Sequence, residues 1–166
     1  KCLHGVPGTC FVMVDRGALE LGSPRNLYLD LSAYVAAQDN NGTPFTQSVQ
    51  TFYALDEALD EFIEAGGWQA RHRLFVERLA AIRERLVKLD VTPLLDARDC
   101  SCVLHAFELP PGKTYDELHR ILKARGFIIY AGQGVLSDRV FRLSAMGEIS
   151  STDLERLFDA FDAALK

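Results

Sequence analysis

The sequence predicts a mixed fold of the α/β to α+β class, for two reasons. From Trp68 to Leu89, apolar side chains recur at alternating steps of three and four residues, which is typical of an amphipathic helix. After Val91 this period ends, and the pattern predicts strand, strand, helix, strand, strand, helix. A small sheet with helices on one side buries such elements. The chain is therefore expected to end in a compact α+β layer.

The composition is that of an ordinary soluble globular protein. The 166 residues suffice for one domain or a little more, with 48% hydrophobic and 25% charged residues. The formal charge of −5 includes no basic block, which argues against a nucleic acid partner. No apolar run approaches the ~20 residues of a membrane span. Since the chain lacks an initiator methionine, we expect it to be a fragment or a truncated record.

The cysteines indicate reduced structural thiols rather than a metal site. Cys100 and Cys102 lie too close together to hold zinc without a second ligand pair, and His105 adds only one ligand. With Cys2 and Cys10 they predict a cytoplasmic protein without metal.

The first third is predicted to hold one strand and short helices. Cys10 to Val14 is expected to form a short buried strand, which Asp15-Arg16-Gly17 ends. Ala18 to Leu21 predicts one helical turn before the breaker Gly22-Ser23-Pro24. A short helix from about Asp30 to Gln38 follows.

A loop and two helices occupy the middle. Asp39 to Pro44 is the strongest loop signal in the chain. The next helix is predicted from about Gln47 to Ala65, with Thr46 as its N-cap and Gly66-Gly67 as its end. The long helix after it has an apolar seam on which His72 is expected to pack rather than bind a ligand. The seam residues are Trp68, His72, Phe75, Leu79, Ile82, Leu86 and Leu89.

Four strands and two helices are predicted in the last part. Thr114 and Glu117 form a capping box that begins a helix, and Gly126 ends it. The last helix is capped by Ser150 or Ser151. The predicted strands are Thr92–Leu95, Cys102–Leu109, Phe127–Tyr130 and Arg139–Ser144.

Lys1 stands before a tight turn, Gly5-Val6-Pro7-Gly8, that leads into the first apolar run. Glycine allows close backbone approach and proline stiffens the turn. A lysine held at a sheet edge and desolvated in a pocket can form a Schiff base with a carbonyl cofactor. The alternative is a frayed, solvated chain end.

The stretch Lys1-Cys2-Leu3-His4-Gly5-Val6-Pro7-Gly8 resembles the active-site segment of 2-aminoethylphosphonate–pyruvate transaminases. These are class V aminotransferases with the type I fold of pyridoxal-phosphate enzymes. The likeness runs in order through the whole chain, and it corresponds to about the second half of such an enzyme. It continues through Asn41-Gly42, Phe45-Thr46, Gly66-Gly67, Ala70-Arg71-His72, Arg125-Gly126-Phe127, Ile129-Tyr130, Phe141-Arg142 and Met146-Gly147-Glu148-Ile149.

The resemblance implies a domain organisation and an assembly. Residues 1–66 would end the large cofactor-binding domain, 67–90 would form a connecting helix, and 91–166 would form the small C-terminal domain. Family behaviour implies a cytoplasmic homodimer with active sites at its interface. In this family, three cofactor-binding elements precede the lysine: the aspartate at the pyridine nitrogen, the ring-stacking residue and the main phosphate loop. The chain alone is therefore expected to be inactive.

The resemblance also implies an activity: transfer of the amino group of 2-aminoethylphosphonate to pyruvate, giving phosphonoacetaldehyde and alanine. A close alternative is a serine–pyruvate or alanine–glyoxylate transaminase, which shares the fold, the lysine and the arginine. An alternative of another class is a catalytically inactive interaction or dimerisation module.

Three residues match functional positions of that family. Lys1 matches the lysine that holds pyridoxal 5'-phosphate and moves protons. Thr46 matches a threonine whose hydroxyl reaches the cofactor phosphate of the neighbouring subunit, although an N-cap without a ligand is also compatible. Arg142 matches an arginine that pairs with the phosphonate or carboxylate of the substrate, the alternative being a solvated arginine.

Three further residues carry no assigned role. His4 occupies the variable position of the motif, and Arg25 lies in a stretch where another anion contact is conceivable. Glu148 is expected to be a surface or capping carboxylate.

Overall fold

The computed structural model describes residues 2–19 and 25–165. The chain forms two compact units, one of Leu3–Glu61 and one of Phe62–Lys166 together with Lys1–Cys2. The domain boundaries expected at residues 66 and 90 stay predictions.

The first unit contains α1 (Arg16–Leu19), α2 (Leu31–Asp39) and most of α3 (Val49–Glu64). The predicted start of α2 is confirmed, since the Asp30 carboxylate accepts a hydrogen bond from the Ser32 N–H at 3.0 Å. The predicted turn at 18–21 corresponds to α1, and residues 20–24, including the breaker Gly22-Ser23-Pro24, lie outside the described part.

The predicted N-cap of α3 is wrong. This helix begins at Val49, whose N–H donates to Gln47 O at 3.1 Å, and Ser48 O accepts from Phe52 N–H at 3.4 Å. Thr46 precedes that turn and caps nothing. Its neighbour Phe45 packs instead against Tyr28, with ring centroids 5.1 Å apart.

The prediction of a buried strand over 10–14 is also wrong. These residues form no strand among the described elements, and Phe11 and Met13 are 68% and 90% exposed. A strand is stable only where a neighbouring strand takes its backbone hydrogen bonds and covers its side chains. In the described part of the chain no strand lies beside this segment, so its apolar side chains stay exposed.

The second unit consists of three helices and a three-stranded antiparallel sheet of order β1-β3-β2. It confirms the predicted α+β class. Among the described helices, none is both long and apolar enough to cross a membrane. The elements are α4 (Gly67–Val87), β1 (Leu104–Glu108), α5 (Tyr115–Ala124), β2 (Tyr130–Ala131), β3 (Val140–Ser144) and α6 (Ser151–Leu165).

Of the four predicted strands, 92–95 is absent and 127–130 is largely absent. Residues 92–95 form no strand of their own, although Pro93 bridges Phe107 and Leu94 N–H donates to Ala106 O at 3.0 Å. Of the predicted strand Phe127–Tyr130, only Tyr130 belongs to a strand, β2. Phe127 N–H donates back to Leu122 O and so closes the end of α5 instead of pairing in the sheet.

Helix capping in this unit follows the sequence closely. The Thr114 hydroxyl accepts from Glu117 N–H at 3.3 Å and begins α5 as predicted. Ser150 Oγ accepts from Asp153 N–H at 3.1 Å and begins α6. Short polar side chains therefore set both helix starts, as local chemistry requires.

The core lies on one face of the sheet. Phe107 of β1 and Phe141 of β3 are opposite one another in the register, with ring centroids 5.6 Å apart. Phe161 of α6 lies 5.9 Å from Phe141, and all three rings are fully buried. Leu79 of α4 and Leu118 of α5 belong to the same cluster, so the three helices cover this one face, as the sequence predicts.

Replacing Phe141 with alanine should lower the free energy of unfolding by about 3–5 kcal/mol, because the cavity lies between two other buried rings. Urea unfolding followed by circular dichroism measures this loss. Val135→Ala, at a position 93% exposed, is the control and should change the free energy by less than about 0.5 kcal/mol. An equal midpoint for Phe141→Ala and wild type would contradict this core assignment.

The predicted seam of α4 is correct only in its second part. The buried residues of this seam are Phe75, Leu79, Ile82 and Leu86, whereas Trp68 is 65% exposed. His72 is exposed too, so the prediction of a packing histidine is wrong. The buried stripe starts only at Phe75, because the sheet and α6 do not cover the first turns of the helix.

Candidate functional site

Lys1 lies outside the described residues, but the residue bonded to it, Cys2, is described. The carbonyl oxygen of Cys2 accepts a hydrogen bond from Arg71 Nη1 at 3.1 Å. The Cys2 Sγ lies 3.8 Å from Met146 Sδ. The backbone beside the candidate lysine is thereby tied to α4 and to the segment after β3.

The glycine motif packs against α3 within the first unit. Gly8 has a φ of +129°, and a Cβ placed on it would come within 3.0 Å of Thr51 Cγ2. Thr9 Oγ1 donates to Thr51 Oγ1 at 2.9 Å. The turn therefore needs glycine both for its backbone conformation and for close approach to the helix. His4 also has a positive φ, of 62°.

Thr46 is exposed, and its hydroxyl makes no hydrogen bond with any other residue in the described part of the chain. Phe45 before it is held by two tyrosine rings, those of Tyr28 and Tyr34. The hydroxyl therefore sits on a packed segment and keeps its full capacity to bind a ligand.

Arg142 is half-buried in β3, paired with Ala106 of β1 and Tyr130 of β2. Its Nε donates to Ala131 O at 2.8 Å, which fixes the plane of the guanidinium. The terminal nitrogens form no hydrogen bond or ion pair with the residues described. They are therefore available to an anion, and a planar fork suits a carboxylate or a phosphonate.

A buried arginine organises the segment that follows β3. Arg78 of α4 is 7% exposed, and its Nη1 donates to Ala145 O at 3.3 Å and to Gly147 O at 3.0 Å. Its Nη2 donates to Ile149 O. Burial lowers the pKa of the Arg78 guanidinium from its ordinary value, while the nearby carboxylate of Glu148 opposes that shift. Glu148 itself is exposed.

A second buried polar group, His105, lies on the core face of β1. It is 8% exposed, its Nδ1 has no hydrogen-bond partner in the described chain, and it pairs with Leu143 of β3. Burial, and secondly the charge of Arg83, lower the pKa of His105 below its usual 6.5, against the effect of a backbone hydrogen bond at Ser101. Both effects favour the neutral imidazole over the charged one in the folded chain.

Acidification should weaken the fold through His105. The unfolded chain binds this proton with a pKa near 6.5 and the folded chain with a lower one, so the free energy of unfolding should fall as pH drops below about 6.5. Urea midpoints at about pH 7 and about pH 5.5 measure the loss. His105→Gln should reduce it, whereas the control His119→Gln should keep it. An identical loss in wild type and His105→Gln would contradict the assignment.

The predicted site residues are distributed over both units. Thr46 lies in the first unit and Arg142 in the second. Within the second unit, the structure brings Cys2 together with Arg71 and Met146. Sequence reasoning missed Arg78, although a signal exists: it lies three residues after Phe75 and directly before Leu79, so a charged residue falls on the apolar stripe.

No protein-family model matches the chain, whereas individual relatives match nearly all of it. It is 35% identical over 171 aligned positions to a 2-aminoethylphosphonate–pyruvate transaminase of Salmonella schwarzengrund (strain CVM19633), and 34% identical to that of Salmonella paratyphi B (strain ATCC BAA-1250 / SPB7). Each match covers 99% of this chain and 46% of the relative. Over nearly all of its length, this chain is similar to part of these transaminases. It spans about half the length of the curated relatives it matches.

Solved structures of aminotransferases share this fold. An aspartate aminotransferase of subgroup IV from Thermus thermophilus superposes with a TM-score of 0.78 at 27% identity, over 92% of this chain and 42% of that one. An alanine–glyoxylate aminotransferase from Nostoc sp. gives 0.78 at 21% identity, over 86% and 38%, which shows the fold alone. The fold is the corresponding portion of the type I aminotransferase fold.

The residues of this chain fit part of what pyridoxal 5'-phosphate and an anionic substrate would require. The free hydroxyl of Thr46 can donate to a phosphate oxygen, and the free terminal nitrogens of Arg142 can hold an anionic substrate group. The close packing of Gly8 on Thr51 fixes the turn that follows Lys1. These observations are compatible with a cofactor bound through Lys1.

Proposed function

We propose that this chain provides the lysine and the substrate arginine of a pyridoxal-phosphate-dependent aminotransferase. The enzyme would move the amino group of 2-aminoethylphosphonate to pyruvate, giving phosphonoacetaldehyde and alanine. The observation that carries the proposal is 35% identity over 99% of the chain to a relative with that name. A homodimer in the cytoplasm, and the domain division at residues 66 and 90, form part of the same proposal.

Lys1 has two tasks in this scheme. Its amine would hold the cofactor covalently, and the free amine would take the proton from the substrate carbon. When bound, pyridoxal phosphate supplies an electron sink for that carbon. The bonding of Cys2 to Arg71 and Met146 supports this role, because a fixed backbone limits where the lysine can reach.

Arg142 would bind the anionic end of each substrate in turn. The phosphonate of the amino donor and the carboxylate of pyruvate both accept paired N–H donors. With its Nε already bound to Ala131 O, the guanidinium would meet the anion with its terminal nitrogens in a fixed plane. The Thr46 hydroxyl would donate a hydrogen bond to the cofactor phosphate of the neighbouring subunit.

The test uses the protein expressed from its natural gene and purified with pyridoxal phosphate. Borohydride reduction followed by intact mass and peptide mapping should show one reduced cofactor adduct, on Lys1. Alanine formation from 2-aminoethylphosphonate and pyruvate should exceed the rates of serine with pyruvate and of alanine with glyoxylate.

The two alternatives predict different results. A serine–pyruvate or alanine–glyoxylate enzyme would also show the adduct. Its rate with its own substrate pair would, however, exceed its rate with 2-aminoethylphosphonate and pyruvate. An interaction or dimerisation module would show neither adduct nor turnover, and either result would overturn the proposed reaction.

A further inference from the structure

Two arginines on one face of α4 bind the two segments next to the candidate active-site residues. Arg71 and Arg78 are separated by about two helical turns, so their side chains project on the same side. Arg71 donates to the carbonyl of Cys2, which is joined to Lys1. Arg78 donates to three carbonyls of the 145–149 segment, which directly continues the strand of Arg142.

The two segments also contact each other, through Cys2 Sγ and Met146 Sδ at 3.8 Å. All of these residues belong to the same compact unit. Contacts therefore connect α4 to Cys2, Cys2 to Met146, and the 145–149 segment back to α4. A helix is a stiff element, so the separation between its two arginines is fixed by its backbone.

Burying the Arg78 guanidinium is costly unless its donors form hydrogen bonds. Three carbonyl oxygens provide those bonds, and all three come from a single irregular segment. Were core packing the only requirement, an apolar residue would fill the same place beside Phe75 and Leu79. The hydrogen bonds to the 145–149 segment therefore explain why an arginine stands at this position.

We propose that Arg78 is a positioning residue that, through the 145–149 segment and together with Arg71, sets the separation of Lys1 from Arg142. This inference rests on the proposed function for the roles of Lys1 and Arg142. Arg142 holds the anion of the substrate, and Lys1 must then meet the carbon at its other end. A change of separation of about 1 Å can cost about 10²-fold in rate.

The test compares Arg78→Met and Arg78→Lys with wild-type holoenzyme. Methionine keeps much of the apolar volume but removes all donors, whereas lysine keeps the charge and can reach only part of the three carbonyls. Arg73→Met is the matched control, because Arg73 lies on the exposed side of α4 and makes no hydrogen bond or ion pair with the residues described.

The first readout is hydrogen exchange, which does not depend on activity. In Arg78→Met, the amides of 145–149 and of the peptide containing Cys2 should exchange at least about tenfold faster, while those of β1 and β3 stay unchanged. Arg73→Met should match wild type throughout. Unchanged exchange at 145–149, or equal acceleration of every amide, would overturn the proposal, since the latter is what a purely structural role predicts.

The second readout is the division between kcat and KM. Arg78→Met should lower kcat by about 10-fold to 100-fold with KM for the amino donor within about threefold, because Arg142 still binds the anion while the carbon is misplaced. Arg78→Lys should recover part of the loss. A rise in KM with kcat unchanged would overturn the positioning role.

The two proposals fail in different ways. If the wild-type protein forms no adduct on Lys1, the proposed function fails. If it forms the adduct and transfers the amino group, but Arg78→Met retains wild-type exchange at 145–149 or wild-type kcat, only the positioning role of Arg78 fails.

Discussion

Replacing Lys1 with alanine should lower kcat for amino transfer by at least about 10³-fold, because both the covalent attachment and the proton-transferring amine are lost. The borohydride adduct should disappear at the same time. Added methylamine should not restore the adduct on the protein, since the amine must be part of the chain. Single-turnover absorbance and peptide mapping measure the two losses separately.

A matched control for this substitution is Lys88→Ala. Lys88 is an exposed lysine whose ammonium pairs with Glu84 at 2.7 Å, one turn earlier on the same helix. Exposed pairs of this kind contribute little to stability, so kcat should remain within about twofold. Retention of the adduct in Lys1→Ala would show that another lysine binds the cofactor.

Replacing Arg142 with methionine should lower kcat/KM for 2-aminoethylphosphonate by about 10²-fold to 10⁴-fold. Two charge-assisted hydrogen bonds to the phosphonate are lost, each worth about 1.5–3 kcal/mol. The bond from Nε to Ala131 O is lost as well, so a modest drop in melting temperature should accompany the kinetic change. Steady-state kinetics with both substrates provide the measurement.

Two comparisons make the Arg142 result specific. Arg142→Lys should recover only part of the loss, because an ammonium cannot form the paired contact of a guanidinium. Arg139→Met, at an exposed position just before β3, should leave the kinetics within about twofold. If Arg142→Met keeps kcat/KM within about threefold of wild type, the anion binds elsewhere.

Local chemistry explains which parts of the fold the sequence could predict. Thr114 and Ser150 cap their helices because a hydroxyl meets an unpaired N–H nearby in sequence. Phe141 and Leu143 alternate with Arg142 along β3, so the strand and its buried face follow from period alone. These features depend on residues close together in the chain.

Partners distant in sequence explain the failures. The apolar run from Cys10 to Val14 predicts a strand, but only a neighbouring strand can make it one. Trp68 continues the seam of α4 beyond the part that the core covers. The role of Arg78 depends on carbonyls of the 145–149 segment, far away in the sequence, and no local pattern identifies them.

The place of β3 between β1 and β2 has a thermodynamic consequence for the proposed anion site. Hydrogen bonding on both edges makes the backbone at Arg142 the last part of the sheet to open. The Arg142 side chain is also half-buried and bound through Nε to Ala131 O, so it has lost part of its conformational freedom before any ligand arrives. Binding therefore incurs little additional entropy loss, and more of the electrostatic attraction is expressed as affinity.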